Sequence, residues 1–255
     1  MFDEPFSQGN SLLHSLDPRV KCASALVFSC VVAVAGSYSA AAAGLLVALG
    51  LVFAARPDVR PLARRLVQMN CFVLFLWIML PLTFPGETAA TLGPVVLTRP
   101  GLELALLITL KSNAILLGFI ALISTTDAAT LGHALFSMGA PPRLVFLFLF
   151  TYRYVHVIEQ EYTRLATAAR LRGFVPRTNL HTYRTAGNLL GMVLVRSLDR
   201  SQRVYEAMLL RGYCGTFHSL REFRLTRKDL LFSFTLLLLV AMLIWLECRP
   251  GGFCG

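Results

Sequence analysis

The sequence predicts an all-α integral membrane protein with about five transmembrane helices and a cytoplasmic or interfacial block of amphipathic helices. Three observations support this fold class. Of the 255 residues, 56% are hydrophobic and only 15% are charged, well below the ~25% charged residues of soluble domains. Several apolar runs approach the ~20 residues that a helix needs to cross a bilayer. Between residues 125 and 228, the helical patterns instead combine apolar stripes with many basic residues.

Five apolar runs are long enough to be predicted as spans: residues 22–36, 40–55, 66–84, 102–124 and 230–246. The first two form a tight pair around Ser37-Tyr38-Ser39. A further run, 144–158, is short, and Tyr152, Arg153, Tyr154 and His156 interrupt its second half. We expect this run to lie along the membrane or to dip into it. The alternative is that it pairs with residues 189–198 to give two extra crossings.

The positions of Lys and Arg predict the orientation, because cytoplasmic loops carry an excess of these residues. Arg19 and Lys21 precede the first span, and four arginines lie between residues 56 and 65, before the third. Four basic residues between 221 and 228 precede the last span, whereas Arg99 is the only basic residue within 85–101. These positions predict a cytoplasmic N-terminus and an external C-terminus.

The net charge is concentrated in one block. Residues 143–228 contain 15 Lys and Arg but only 5 Asp and Glu, so the block has a formal net charge of +10, equal to that of the whole chain. The predicted organisation is therefore residues 1–124 with spans one to four, 125–228 as the cytoplasmic block, and 229–255 with the last span and an external tail. Attraction to anionic lipid accounts for part of this charge. Nucleic acid is disfavoured as a partner, because the sequence contains no recognisable nucleic-acid-binding module.

A duplicated motif within this block points to a protein partner. Arg164-x-x-x-Ala168-x-x-x-Arg172-Gly173-Phe174 is matched, 39 residues later, by Arg203-x-x-x-Ala207-x-x-x-Arg211-Gly212-Tyr213. Residues i, i+4 and i+8 share one face of a helix. Glycine favours the left-handed position after a helix, and arginine is favourable beside the negative end of the helix dipole. One copy is ordinary capping, but two matched copies predict two arginine-tipped helices that dock on a soluble partner.

Local signals place these helices. Ser124-Thr125-Thr126-Asp127 supplies N-cap residues for a short helix over 128–138, and Gly139-Ala140-Pro141-Pro142 ends it. Pro176 ends the first arginine helix, and the second is expected over about 180–210. Cys248 and Cys254 either stay free or form a short-loop disulfide.

No catalytic, metal-binding or cofactor-binding signature is present in the sequence. The five histidines are scattered outside any zinc motif, and the sequence lacks a phosphate-binding glycine-rich loop and a G-x-S-x-G elbow. The fourth span carries the polar run Lys111-Ser112-Asn113. A charge at this depth is either paired with a neighbouring helix or functional, so Lys111 and Asn113 are candidates for contact with another membrane subunit.

The motifs together resemble the transmembrane T component of energy-coupling factor (ECF) transporters, over nearly the whole chain. The resemblance rests on Leu13-His14-Ser15-Leu16-Asp17-Pro18-Arg19-Val20-Lys21, on Ser124-Thr125-Thr126 with the helix after it, and on Tyr152-Arg153-Tyr154 with Glu159 and Glu161. Arg172-Gly173 and Arg211-Gly212 fall where that family has paired Ala-Arg-Gly signatures, with Leu171 and Leu210 replacing the alanines. Residues 196–208 are most similar to the cobalt-type branch.

The resemblance implies a non-catalytic coupling subunit of an ABC importer in the bacterial cytoplasmic (inner) membrane. Two ATP-binding cassette ATPase subunits would each receive one arginine tip, namely Arg172 with Gly173 and Arg211 with Gly212. Arg164, Ala168, Arg203, Ala207, Arg153 and Glu159 would support the coupling helices. A substrate-binding membrane subunit would receive the motion, and cobalt or nickel is the substrate implied by the branch. The alternatives are a T component for a vitamin such as biotin and a stand-alone permease.

Overall fold

The computed structural model describes residue 13 and residues 16–83, 88–92, 95–214 and 226–248. Helices dominate these ranges, and the predicted all-α class is confirmed. In chain order the helices are α1 (Pro18–Val34), α2 (Tyr38–Ala55), α3 (Val59–Thr83), α4 (Arg99–Leu122), α5 (Ala128–Ser137), α6 (Pro142–Leu171), α7 (Leu180–Leu210) and α8 (Arg227–Glu247). Two short strands, β1 (Thr88–Leu92) and β2 (Val95–Thr98), pair antiparallel between α3 and α4.

The two strands lie between the third and fourth predicted spans. Their sequences, TAATL and VVLT, are rich in Thr and Val, whose branched side chains favour extended backbone. Strands of five and four residues are too short for an alternating pattern to distinguish them from a loop.

Contacts divide the chain into two compact units, each considered by itself. Within the described residues, the first comprises α1–α4, most of α5, and α8, and is called the membrane unit below. The second comprises α6 and α7 and is called the helical hairpin.

Four helices of the described part of the chain are long and apolar enough to cross a membrane: α2, α3, α4 and α8. They coincide with four of the five predicted spans. The remaining predicted span falls largely on α1, which has 17 residues and therefore sits at the lower limit of ~17 for a bilayer-crossing helix.

Small residues allow the helices of the membrane unit to approach closely. The central helix α4 contacts α1, α2 and α3, and α8 packs against α1 and α2. Ala114 and Ala121 on α4 and Ala48 on α2 are fully buried. At Gly118 a Cβ would lie 2.7 Å from Cε1 of Phe28, so only glycine leaves room for that ring. Small residues at helix contacts are typical of packing in membranes, where close van der Waals approach replaces the hydrophobic effect.

Polar bonds at both ends of α8 show that it runs parallel to α1. At one end the Asp17 amide donates to Oδ1 of Asp229 over 2.8 Å. At the other end the Glu247 carboxylate accepts from the amide of Gly36 at 2.7 Å and from the hydroxyl of Ser37 at 2.7 Å. The predicted topology also requires these two helices to traverse in the same direction, so the parallel pairing agrees with it.

The helices outside the predicted spans follow their local signals closely. α5 begins at Ala128 as predicted, and α7 has the predicted limits. The apolar run 144–158 forms the first half of α6, which continues unbroken for 30 residues. Cys254, one partner of the disulfide alternative, lies outside the described residues.

Candidate functional site

The helical hairpin consists of two antiparallel helices. The ring of Tyr213, just beyond the end of α7, stacks on Phe146 near the start of α6, with centroids 5.9 Å apart. Midway along both helices, Glu161 of α6 accepts a hydrogen bond from Arg196 of α7. The C-terminus of α7 therefore lies beside the N-terminus of α6. At 1.5 Å per residue, Arg172 is about 40 Å along α6 from Phe146, so the two arginine-glycine ends lie at opposite ends of the hairpin.

Both helices end in the same hydrogen-bond arrangement. After α6, the amide of Gly173 donates to the Arg170 carbonyl at 3.0 Å and that of Phe174 to the Ala169 carbonyl at 3.1 Å. This pair of bonds is a Schellman cap, which satisfies carbonyls that a helix end otherwise leaves unpaired. The end of α6, with Arg172 and Gly173, is called tip 1 below.

Tip 2, formed by Arg211 and Gly212 at the end of α7, repeats this cap bond for bond. The Gly212 amide donates to the Leu209 carbonyl at 3.0 Å, and the Tyr213 amide donates to the Met208 carbonyl at 3.0 Å. The duplication found in the sequence is therefore also a duplication of backbone geometry.

Both caps require glycine for their backbone conformation. Gly173 has φ +84° and Gly212 has φ +82°, as the sequence motif predicts. A Cβ built at either position meets nothing within 4 Å. The requirement is thus the left-handed backbone itself and not a close neighbour.

The side chains of the predicted arginine stripes face solvent. Arg164, Ala168 and Arg172 of α6 are exposed, as are Arg203 and Arg211 of α7, while Ala207 is half-buried. The guanidinium groups at both tips are therefore available to a partner. A guanidinium suits a carboxylate especially well, because its planar fork can donate two parallel hydrogen bonds.

An ion-pair cluster that sequence reasoning did not select connects the two helices. Oε1 of Glu161 pairs with Arg196, and Oε2 lies 3.7 Å from Nη2 of Arg200. The side chain of Glu161 is only 12% exposed. Its hydrogen bond from Arg196 holds the pKa of the carboxyl below its usual value, with further contributions from the neighbouring arginine charges.

Glu161 is one of the residues that carry the family resemblance, and one further signal in the sequence could have indicated its pairing with arginine. It is among the 5 acidic residues in a block with 15 basic ones, and such a minority charge has many opposite charges to pair with. The two residues that were selected nearby are less well placed to connect the helices. Arg153 is exposed, and Glu159 lies 3.5 Å from Nδ1 of His156 on its own helix.

A cavity of about 370 Å³ lies between α6 and α7, on the tip 2 side of Glu161. Aromatic rings line its α6 wall, with Phe146 and Phe150 4.3 Å apart and Phe150 and Tyr154 5.7 Å apart. Arg196 and Arg200 also contribute to the lining. The hairpin therefore has contacts at its ends and at its middle, with open space between its middle and tip 2.

In the membrane unit, the two residues predicted to contact another subunit form bonds within the chain. Nζ of Lys111 donates to the carbonyl oxygen of Ala33 at 3.0 Å, near the end of α1. The amides of Asn113 and Asn70 exchange hydrogen bonds of 3.0 and 3.1 Å between α4 and α3. These bonds account for both polar side chains inside the unit, and a role in subunit contact stays a prediction.

A second polar cluster joins the start of α1, the end of α4 and the start of α8. Lys21 is 2% exposed, and its Nζ lies 3.4 Å from Oγ1 of Thr126. Asp229 accepts from the amides of Asp17 and Thr226. The motif that precedes the first span and the Ser-Thr-Thr motif after the fourth are thus brought together, which explains why both are polar.

Known proteins resemble this chain over most of its length. The profile of the family described as CbiQ, cobalt transport protein, matches residues 9–222. The chain belongs to the CbiQ family. The cobalt transport protein CbiQ of Rhodobacter capsulatus is 30% identical over 53% of this chain and 58% of its own length. The energy-coupling factor transporter transmembrane protein EcfT of Bacillus subtilis is 24% identical over 94% of this chain and 95% of its own.

An uncharacterised protein of Methanocaldococcus jannaschii is 24% identical, over 96% of this chain and 86% of its own length. CbiQ family membership confirms the resemblance to ECF T components, with the cobalt-type branch among the matches. It also places the chain in a family of membrane transport components. Among the described residues, no group of three or more His, Cys, Asp or Glu could hold a metal ion.

Proposed function

We propose that this CbiQ-family chain is the coupling subunit of an ATP-driven importer. Two ATP-binding cassette ATPase subunits dock on the helical hairpin, one at each tip. The hairpin passes their movement to a membrane subunit that binds the substrate. The chain itself neither hydrolyses ATP nor holds the substrate.

The single observation that carries this proposal is the equivalence of the two tips. Each presents an exposed arginine on a helix end fixed by the same cap, with glycine φ values of +84° and +82°. Two equivalent tips at opposite ends of the helical hairpin suit a partner with two equivalent binding sites. A pair of ATPase subunits that close on each other around ATP is such a partner.

Charge supports the same assignment. The block that contains both tips carries the net positive charge of the chain, so it attracts acidic surfaces over roughly a Debye length of ~8 Å at physiological salt. The positions of Lys and Arg favour a cytoplasmic location for this block and the N-terminus, where ATP is available. We assign the chain to the bacterial cytoplasmic membrane on this basis.

The proposed substrate rests on the resemblance to the cobalt-type branch alone. The names of two matches refer to cobalt transport, which favours cobalt or nickel ions as the cargo of the assembled importer. A vitamin such as biotin is the alternative, since the matches also include proteins named for energy-coupling factor transport without a substrate.

The test is co-purification of the tagged chain with its ATPase subunits from mild detergent, combined with metal uptake in cells. We expect Arg172→Ala and Arg211→Ala each to weaken ATPase retention, and the double variant to abolish uptake. Truncating one partner of a buried charge pair costs about 2–5 kcal/mol, which corresponds to a loss of affinity of at least ~30-fold. Arg→Lys should rescue poorly, because an ammonium cannot reproduce the planar fork.

The matched controls are Arg170→Ala and Arg177→Ala, exposed arginines close to tip 1 that are not part of the duplicated motif. They remove the same charge and should leave retention nearly unchanged. ATP-driven uptake at full rate by the double tip variant would refute the coupling role. Uptake in cells that lack the ATPase subunits would indicate a stand-alone permease instead.

A further inference from the structure

Each tip carries a highly exposed leucine, and no contact among the described residues accounts for that exposure. Leu171 and Leu210 are the last residues of α6 and α7 and immediately precede the tip arginines. Their exposed fractions are 85% and 90%. Among the large hydrophobic side chains in the described ranges, these are the two highest values. Leucine is an apolar side chain that is favourable to bury, so the two positions are candidates for burial by a partner.

The caps themselves do not use these leucines. In a Schellman cap the apolar contact involves the residue two positions beyond the C-cap. The C-caps are Arg172 and Arg211, so this residue is Phe174 at tip 1 and Tyr213 at tip 2. Both rings pack within the hairpin, Phe174 at 6.3 Å from His181 and Tyr213 at 5.9 Å from Phe146. The aromatic residue of each tip thus contacts a ring within the hairpin, whereas the leucine is exposed to solvent.

We propose that each tip binds through two contacts, with leucine inserted in an apolar pocket and arginine held by a carboxylate at the rim of that pocket. The occupants are the two ATPase subunits of the proposed function, on which this inference rests. Both ATPase subunits should carry the same kind of binding pocket, because both tips present Leu-Arg-Gly in the same backbone geometry. Arginine is enriched among interface hot spots, and the buried centre of an interface is more apolar than its polar rim.

A protein socket explains the duplication better than a lipid surface does. Apolar area and positive charge are enough for binding to an anionic bilayer. Such a surface has no requirement for matching φ values and matching hydrogen bonds at two ends about 40 Å apart along α6. A shaped pocket beside a fixed carboxylate does have this requirement, because leucine and arginine must enter it together.

The experiment measures the affinity of the detergent-solubilised chain for the purified ATPase pair, at low and high NaCl. The variants are Leu171→Ala, Leu210→Ala and the double variant. Alanine is at least as good a helix former as leucine, so the helix ends should be preserved. Leu198→Ala is the matched control, because Leu198 is 66% exposed in the middle of α7 and away from both tips.

We expect about tenfold weaker binding for each single tip variant, from the lost burial of the leucine side chain. The loss should be similar at both tips, and Leu198→Ala should cause no change. Leu→Met should retain most of the affinity, since methionine is similar in volume and adapts to irregular pockets. The loss caused by the leucine variants should persist at high salt, because it reflects apolar burial. The loss caused by Arg172→Ala and Arg211→Ala should shrink as salt screens the ion pairs.

Wild-type affinity of the double leucine variant would overturn the inference. Unchanged ATPase binding combined with weaker binding to anionic phospholipid vesicles would also overturn it, and would assign the leucines to the bilayer. If the arginine variants lose ATPase binding while the leucine variants do not, only this inference fails. If the arginine variants also bind normally, the proposed function itself fails.

Discussion

Replacing the two cap glycines should weaken both tips by an amount that follows from the backbone alone. Gly173 and Gly212 have φ of +84° and +82°, and a Cβ at either site meets nothing within 4 Å. Steric overlap with neighbours therefore adds nothing to the cost of Gly→Ala. What remains is the left-handed backbone conformation, which costs an L-residue roughly 1–2 kcal/mol. The population of each capped tip should fall by about 5- to 30-fold relative to its open form.

Gly187→Ala and Gly191→Ala are the matched controls. Both glycines lie in the interior of α7 without a positive φ, and a Cβ there also meets nothing within 4 Å. Alanine should stabilise the helix at these positions by roughly 0.5–1 kcal/mol. The same chemical change is therefore expected to have opposite signs at the tips and in the helix interior.

Two measurements test this reasoning. Hydrogen exchange of the amides at positions 173 and 174 should accelerate in Gly173→Ala, because these amides donate the cap hydrogen bonds. ATPase retention should fall in parallel if docking needs the capped form. Gly173→Asn should be milder, since asparagine adopts the left-handed conformation more readily. Equal exchange rates in Gly173→Ala and Gly187→Ala would refute the argument that the cap conformation sets the cost.

Three further perturbations concern the clusters inside each unit. Glu161→Gln should reduce uptake more than ATPase retention, and the exchanged pair Glu161→Arg with Arg196→Glu should restore uptake. The pKa of Glu161 is lowered in the folded protein. Its ionised carboxylate therefore stabilises the fold above the ordinary glutamate pKa of ~4.3, and this stabilisation is lost as the pH falls below that value. Thermal unfolding of the wild type and of Glu161→Gln at several pH values would detect the loss. Asp229→Ala should lower the melting temperature by leaving the Asp17 amide without its acceptor, a loss of ~1–3 kcal/mol, and Asp229→Asn should lose less. Lys111→Leu should reduce co-purification of the substrate-binding subunit, and unchanged assembly and transport would show that Lys111 serves only its bond to the α1 end.

The features that the sequence predicted correctly depend on local chemistry. The limits of α7, the start of α5 and the left-handed glycines after both arginine helices follow from capping residues, prolines and glycines that act within a few positions of themselves. The apolar runs identified α2, α3, α4 and α8 because length and hydropathy alone set the requirement for crossing a membrane.

The features that escaped prediction depend on residues far apart in the chain. Glu161 and Arg196 are separated by 35 residues, and nothing local in the sequence indicates that two helices bring them together. The bond between Ser37 and Glu247 spans 210 residues and depends on α1 and α8 running in parallel. For Lys111 the sequence left pairing with a neighbouring helix and a functional role both open, because its acceptor is a backbone carbonyl of another helix, which carries no side-chain signature.

The open space between α6 and α7 has a mechanical consequence. A closely packed contact resists sliding, since any shift forfeits many van der Waals contacts at once. Because of the cavity of about 370 Å³, α6 and α7 share fewer such contacts in the half of the hairpin nearer Arg211. We expect the aromatic rings that line the cavity to shift there at little cost in packing. We expect α6 and α7 to slide along each other in that half, while the ion pair of Glu161 keeps them together at the middle. A movement of one tip would then change the angle between the two helices.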